Sequence, residues 1–331
     1  MKENIAIKLD EKDRKILLEL ETDARQSSAQ IARKAKVSAQ VVNYRIRQYL
    51  KGGIIRKFFA IPLFDKLGIG TYRIYLQFFA TSPKTEQEMV EYIRDKMPCQ
   101  WIGLCDGRWD VIARISAHDT FEFNATMDRF LEHYGKYVRE KEVTRQLRHT
   151  WWPSTYGLTQ KQRAKSPLHE VPTSVGVVKH DAIDLRILGI LSENARMPTV
   201  EIAGKVKLSA DAVHYRIKRL MREGVITQVK SYFDREKLGY QHNQIFMRLY
   251  PEQKGIKRLI SFLNEFPECF FISSMVGAWD MQFGIDAKNS VEFHELFGRI
   301  KKEFPDVIRE YETLIVYKEY SPNPFAHFVK N

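Results

Sequence analysis

Cysteine is scarce in this chain of 331 residues: Cys99, Cys105 and Cys269 are odd in number and have no CxxC spacing. That excludes a disulfide framework and a cysteine-built zinc set, and it fits a reducing compartment. The nine histidines are scattered with no HxxxH or HExxH pair, so no metal is expected. No apolar run approaches the ~20 residues that cross a bilayer, and the opening MKENIAIKLD lacks the apolar core of a secretory signal. The expectation is a cytoplasmic protein with no membrane partner. Neither a Walker A loop nor a GxGxxG sequence is present, so no cofactor is expected and no catalytic residue is assigned. What abounds is positive charge: 53 Lys and Arg against 41 Asp and Glu, a net +12 with a pI near 9.4, which favours a polyanionic partner.

The chain also says nearly the same thing twice. Residues 13–68 can be laid on 184–239 at a fixed shift of 171 without a gap, and 21 of the 56 columns are identical. Among them are Ile16, Leu17, Ala24, Arg25, Ile31, Ala32, Ser38, Tyr44, Arg45 and Ile46 with Ile187, Leu188, Ala195, Arg196, Ile202, Ala203, Ser209, Tyr215, Arg216 and Ile217. A second correspondence pairs Gly107-Arg108-Trp109-Asp110 with Gly277-Ala278-Trp279-Asp280, and Val138-Arg139-Glu140 with Ile308-Arg309-Glu310. The chain is two copies of one unit of about 150 residues, a size at which each copy can hold more than one small core.

In the first third of each copy the apolar spacing is helical. A first helix carries Ile16, Leu17 and Leu20, or Ile187, Leu188 and Leu191; a short second helix follows, with Ser28 or Thr199 placed to cap it. Ser38 and Ser209 stand as caps of a third helix whose core stripe reads Val42, Ile46, Tyr49, Leu50 and Val213, Ile217, Leu220, Met221. Gly52-Gly53 and Glu223-Gly224 end it, and residues 54–61 and 225–233 read as the strands of a wing. The remainder of each copy alternates strand and helix in the order βαββαβ, a ferredoxin-like split unit with both helices on one face of an antiparallel sheet. The predicted fold class is therefore α+β: two winged helix-turn-helix domains (1–68 and 180–239), each followed by a ferredoxin-like domain (69–153 and 240–320). A basic, flexible linker is expected over 154–179 and a tail over 321–331.

A helix-turn-helix sets its second helix in the major groove of duplex DNA while the flanking elements hold phosphates. With the apolar stripe inward, the first such helix shows Gln40, Asn43, Tyr44 and Arg47, flanked by Arg45 and Gln48. The second shows Asp211, His214, Tyr215 and Lys218, flanked by Arg216 and Arg219, and Ser38 and Ser209 at the helix starts complete the DNA-contacting set. Arg, Asn and Gln can each make two hydrogen bonds to a base edge. Asp211 weakens the second helix as a reader, since a carboxylate near phosphate is repelled unless it accepts from cytosine.

The segments LDEKDRKILLELETDARQSSAQIARKAKVSAQVVNYRIRQYLKGGII and HDAIDLRILGILSENARMPTVEIAGKVKLSADAVHYRIKRLMREGVI both resemble the N-terminal domain of the Lrp/AsnC (leucine-responsive and asparagine regulator) family. The βαββαβ part, with its Gly-x-Trp-Asp sequence, resembles that family's effector-sensing domain. The resemblance implies a sequence-specific, DNA-binding transcription regulator modulated by a small molecule such as an amino acid. It places effector contacts at Asp106, Gly107 and Asp110 within 104–110, and at Ser274, Gly277 and Asp280 within 274–280. Family members carry one unit per chain and dimerise, whereas this chain carries two. Each sheet has an open face to cover, so the sheets are expected to pair within the chain as a pseudo-dimer, with pairing across chains into a homodimer as the alternative.

Two rival functions come from other classes. Siroheme decarboxylases resemble this family in fold, pair two related units and use His and Arg near a tetrapyrrole; around Gln241-His242-Asn243 and the wing no matched His/Arg pair is visible in the sequence. An RNA-binding sheet would need stacking aromatics that the strands VIARIS and MQFGID lack. Trp151-Trp152-Pro153 reads as the cap of a sheet edge.

Overall fold

The computed structural model describes residues 9–152, 169–171 (backbone only) and 176–329. The first copy opens with α1 (Glu11–Thr22), α2 (Ser28–Ala35) and α3 (Ala39–Lys51), and the second with α6 (Ala182–Glu193), α7 (Thr199–Val206) and α8 (Ala210–Arg222). Capping boxes start α1 and α6: Asp10 with Asp13, and Asp181 with Asp184. For α2 the cap is Ser27, one residue earlier than expected, because Gln30 closes a capping box with it; Ser28 is the first helical residue. Thr199 is likewise the first residue of α7, behind Pro198, whose ring offers no capping oxygen. Ser38 and Ser209 cap α3 and α8, accepting from Val41 N–H and Ala212 N–H. Two members of the expected core stripe face outward instead: Leu50 is 43% and Met221 38% exposed.

The wing strands depart further from expectation. β1 (Ile55–Pro62) and β7 (Ile226–Phe233) do not fold into hairpins within their own copies; they pair antiparallel with each other. The two helical trios and this ribbon share one apolar core. The expected tail joins it too: Asn323 donates to Gly189 O at 3.1 Å, and Phe325, 1% exposed, stacks on Phe64.

Each ferredoxin-like part follows the predicted order: β2 (Gly70–Phe78), α4 (Pro83–Lys96), β3 (Cys99–Asp106), β4 (Val111–Ala117), α5 (Thr120–Tyr134) and β5 (Val138–Trp151) in the first copy. After β6 (His169–Val171), the second copy runs β8 (Gln241–Leu249), α9 (Gln253–Glu265), β9 (Cys269–Gly277), β10 (Met281–Ala287), α10 (Ser290–Glu303) and β11 (Ile308–Tyr320). The last strand of each copy is long enough to serve both sheets. β5 pairs with β2 through its first half and with β9 through its second; β11 does the same with β8 and β3. Eight strands thus close a ring in the order β2-β4-β3-β11-β8-β10-β9-β5 and back to β2, leaving none of the eight with a bare edge inside it. Tyr75, Trp109, Phe246, Trp279 and Leu314 fill the space between the two sheets, and each sheet packs its outer face on its own helices. Most of the expected linker lies outside the described residues, but its part at 169–171 pairs with the end of β5, and Val178 N–H donates to Lys66 O at 2.8 Å.

Candidate nucleic-acid interface

The faces of α3 and α8 are fixed by ties to the first helix of each trio. Arg45 donates to Asp10 at 2.7 Å and also to Asp13, and Tyr49 Oη donates to Asp13 at 2.6 Å. Hydrogen bonding from Arg45 pulls the Asp10 carboxyl down to about 2. In the second copy Arg216 bonds Asp181 and Asp184 at 2.8 Å, and Arg219 also reaches Asp184. Arg45, Arg216 and Arg219 are therefore committed at the root of the helix, where they orient it.

The residues left on the outer face are Ser38, Gln40, Asn43, Tyr44, Arg47 and Gln48 on α3, and Ser209, Asp211, His214, Tyr215 and Lys218 on α8, all exposed. Tyr44 and Tyr215, 57% and 62% exposed, stand where an aromatic ring gains nothing from the protein's own core. Asn43 Oδ1 accepts from Ser28 Oγ at 2.5 Å, which fixes its amide. Arg47 and Lys218 make no ion pair among the described residues, so their charge is available to phosphate or base.

Reciprocal contacts hold the two helical trios together. Arg25 Nη1 donates to Ala195 O and Arg196 Nη1 to Ala24 O, each at 2.5 Å. Ala24 N–H donates to Val229 O and Ala195 N–H to Phe58 O, each at 2.8 Å, tying each trio to a wing strand. Lys237 Nζ donates to Gly52 O at 2.7 Å at the end of α3, and Lys66 Nζ reaches Glu223 O at the end of α8. A cation at a helix C-terminus meets carbonyls with no partner in the helix and the negative end of its dipole. These lysines and arginines are among the identical columns of the repeat, and sequence reasoning gave them no role. Their signal was identity at positions that carry no apolar period.

At the far end of the strand ring, the two Gly-x-Trp-Asp sequences lie in turns that press on the other copy. Gly107 (φ 141°) and Gly277 (φ 129°) occupy the left-handed region. A Cβ at Gly277 would sit 2.6 Å from Val143 O of β5, and one at Gly107 would strike Leu314 of β11. Trp109 and Trp279 are buried between the sheets. Asp110 and Asp280 accept from the backbone N–H groups of Phe78 and Leu249 at 2.6 and 2.8 Å. Asp106 is exposed and Ser274 half-buried. Glu142 joins the two turns, accepting from Trp279 Nε1 at 3.0 Å and pairing with Arg108 at 3.4 Å.

The winged helix-turn-helix DNA-binding family model matches residues 9–56 and 180–227. An HTH-type transcriptional regulator of Pyrococcus horikoshii is 32% identical over 115 residues, 34% of this chain and 77% of that one. The regulatory protein AsnC of Haemophilus influenzae is 27% identical over 150 residues, 45% of this chain and 97% of its own. The chain belongs to the Lrp/AsnC family, in tandem form. Each such relative spans less than half of this Lrp/AsnC chain, as one copy of the unit would. At the level of the whole chain, the crystal structure of the siroheme decarboxylase NirDL superposes with a TM-score of 0.63 over 97% of both chains at 13% identity, a likeness of fold alone. Among the described residues no helix of this Lrp/AsnC protein is long and apolar enough to cross a membrane.

One cluster escaped the sequence. No His/Arg pair was visible around residue 242, yet strand pairing brings His149 beside Arg73 and Arg114, and His242 beside Arg235, all on the wall of a cavity of about 160 Å³ between the wing ribbon and the near end of the ring. These residues come from different strands and meet only through register.

Proposed function

We propose that this Lrp/AsnC protein is a sequence-specific transcription regulator that binds double-stranded DNA through α3 and α8, with both reading heads on one polypeptide acting as a pseudo-dimer. The observation that carries this reading is the pair of winged helix-turn-helix domains joined by reciprocal bonds, each showing an exposed face of hydrogen-bonding and cationic side chains. Modulation by a small molecule such as an amino acid, at Asp106, Gly107, Asp110, Ser274, Gly277 and Asp280, belongs to the same proposal; because Asp110 and Asp280 already serve backbone N–H groups, the side chains of exposed Asp106 and half-buried Ser274, which make no side-chain hydrogen bond among the described residues, are the ones left to meet an effector. A cytoplasmic location follows from the DNA-binding reading.

Mobility-shift titrations over a series of salt concentrations test the reading. Counterion release should lower affinity by about a thousandfold between roughly 50 and 200 mM salt if some six phosphates are contacted. A flat salt response, or no preference for duplex over single strands, overturns it. The second reading, a tetrapyrrole enzyme, draws on the whole-chain likeness to NirDL. An unchanged visible spectrum on mixing the protein with uroporphyrin III counts against it, and a one-to-one spectral shift supports it.

A further inference from the structure

The cavity between the wing ribbon and the strand ring holds more positive charge than its own carboxylates balance. Arg73 on β2 stands directly opposite Arg114 on β4, and like charges across a strand pair repel. Arg73 is 3% exposed. Its Nη2 donates to two neutral groups, Gln146 Oε1 at 2.9 Å and Ser273 Oγ at 2.8 Å, and its Nε is buried without a partner among the described residues. The Arg114 guanidinium lies 5.9 and 5.8 Å from the ring centroids of Trp101 and Trp151 and makes no ion pair among the described residues. The other cations of the wall are matched: Lys230 with Glu21 at 3.0 Å, Arg235 with Asp286 and Glu319 at 3.1 and 2.8 Å, and Lys57 with Glu193 at 3.7 Å. Burial pulls the Arg73 guanidinium down to about 9, so it is still charged at neutral pH.

His149 supplies a third donor. It is 4% exposed, and its Nδ1 lies 2.5 Å from Ser273 Oγ. Ser273 accepts from Arg73 and still has its own proton to give; in the tautomer where that proton goes to Nδ1, the neutral imidazole carries its proton on Nε2. That Nε2 is buried and has no partner among the described residues.

Divergence of the two copies made the site one-sided. In the second copy the positions of Arg73, Arg114 and His149 in the strand register are Gln244, Gly284 and Glu319. A Cβ at Gly284 would lie 2.5 Å from ring atoms of both Phe270 and Phe271, so the space of the missing side chain is taken by aromatic rings. The guanidinium groups unpaired among the described residues thus lie on the first copy's side, with Trp101 and Trp151, while the second copy contributes the rings of Phe270 and Phe271 beside His242, Gln244 and the paired Arg235 and Glu319.

We propose that this cavity binds a small planar carboxylate, its anionic end bridging Arg73 and Arg114 and its flat body lying against Trp101, Trp151 and Phe271. A cavity of about 160 Å³ is close to the ~150 Å³ that holds a single benzene ring, which suits a ligand of one ring. The inference does not depend on DNA binding. Calorimetric titration of the full chain with sodium benzoate, its neutral isostere benzamide, inorganic phosphate and uroporphyrin III tests it. Benzoate should bind one-to-one and at least about tenfold more tightly than benzamide, because only the anion completes charge-assisted bonds to the guanidinium groups. Arg114→Gln should weaken benzoate by a similar factor and leave benzamide unchanged. The proposal fails if benzoate and benzamide are indistinguishable, if neither binds up to about 10 mM, if phosphate outcompetes benzoate, or if uroporphyrin III displaces it. The benzoate–benzamide comparison on the unaltered chain decides the matter even if Arg114→Gln does not fold.

Discussion

Arg25 and Arg196 show how a repeated residue acquires meaning only in the assembled chain. In the sequence each belongs to an Ala-Arg pair after the first helix; in the structure each crosses to a carbonyl of the other copy, half-buried, with burial lowering both below the ordinary arginine range. A hydrogen bond from a charged donor to a neutral carbonyl contributes about 1.5–3 kcal/mol. Arg25→Ala and Arg196→Ala should each lower unfolding stability by about that amount, and the double variant should depart from additivity by about 0.5 kcal/mol or more, since Arg196 feels the charge of Arg25 and both interact with Asp23; urea unfolding followed by circular dichroism measures it. The buried histidines make a second residue-scale prediction. Burial, aided by Arg235, pulls His242 from 6.5 down to about 3, and burial with Arg73, Arg114 and Lys230 holds His149 far below its ordinary value. A depressed histidine stays neutral in the fold while the unfolded chain takes up the proton. Its stabilisation is therefore complete above pH 6.5 and is lost progressively toward about pH 3, at up to about 1.4 kcal/mol per pH unit for each histidine. Replacing His242 by Gln should reduce the acid slope between about pH 6 and 5 by that amount; an unchanged slope refutes the assignment.

At the scale of elements, α3 and α8 are equivalent in backbone and different in what they show. Arg47 faces outward where Lys218 does, and Asn43 where His214 does. The preferred DNA site should then be two dissimilar half-sites. Arg47→Ala should alter preference at one base position by about 1–3 kcal/mol and Lys218→Ala by less and at another; binding to a complete set of single-base site variants reads this, and equal effects at symmetric positions contradict it. The helices, their order and the βαββαβ pattern were legible because periodicity and capping are local. Ser27 and Ser28 offer the same oxygen in adjacent positions, and Gln30, which closes its capping box on Ser27, decides between them. The wing strands were legible as strands but not as partners of each other, since pairing between β1 and β7 is set by packing far apart in sequence. For the same reason Arg73 and Arg114 stayed invisible as a pair: nothing local marks two residues, 41 positions apart, as strand neighbours. On the reading faces the sequence was informative about which side chains point outward, and silent about Arg45, Arg216 and Arg219 being held by acidic residues of the first helices.

At the scale of the whole molecule, the ring closed by β5 and β11 makes the two copies halves of one object. Each half cut away would expose the second portion of its long last strand, the inter-sheet faces of Trp109 or Trp279, and its side of the β1–β7 ribbon. Apolar surface returned to water costs about 25 cal/mol per Å², and the freed strand edges would seek other partners. A protease site inserted between Pro153 and Pro167 should therefore leave the halves associated one-to-one after cleavage, with the mass of a single chain by light scattering and with unchanged DNA affinity. The alternative is that each half pairs better with its own kind, as single-unit family members do. The two halves differ where that choice is decided: a self-paired first half would bring two Arg73–Arg114 pairs to one cavity, doubling a charge that already lacks a carboxylate partner among the described residues, while a self-paired second half would place two Glu319 there, each having lost Trp101 as a donor. Cross-pairing of unlike halves avoids both. Separation of the cleaved halves into two homodimers would show that this electrostatic asymmetry does not govern assembly.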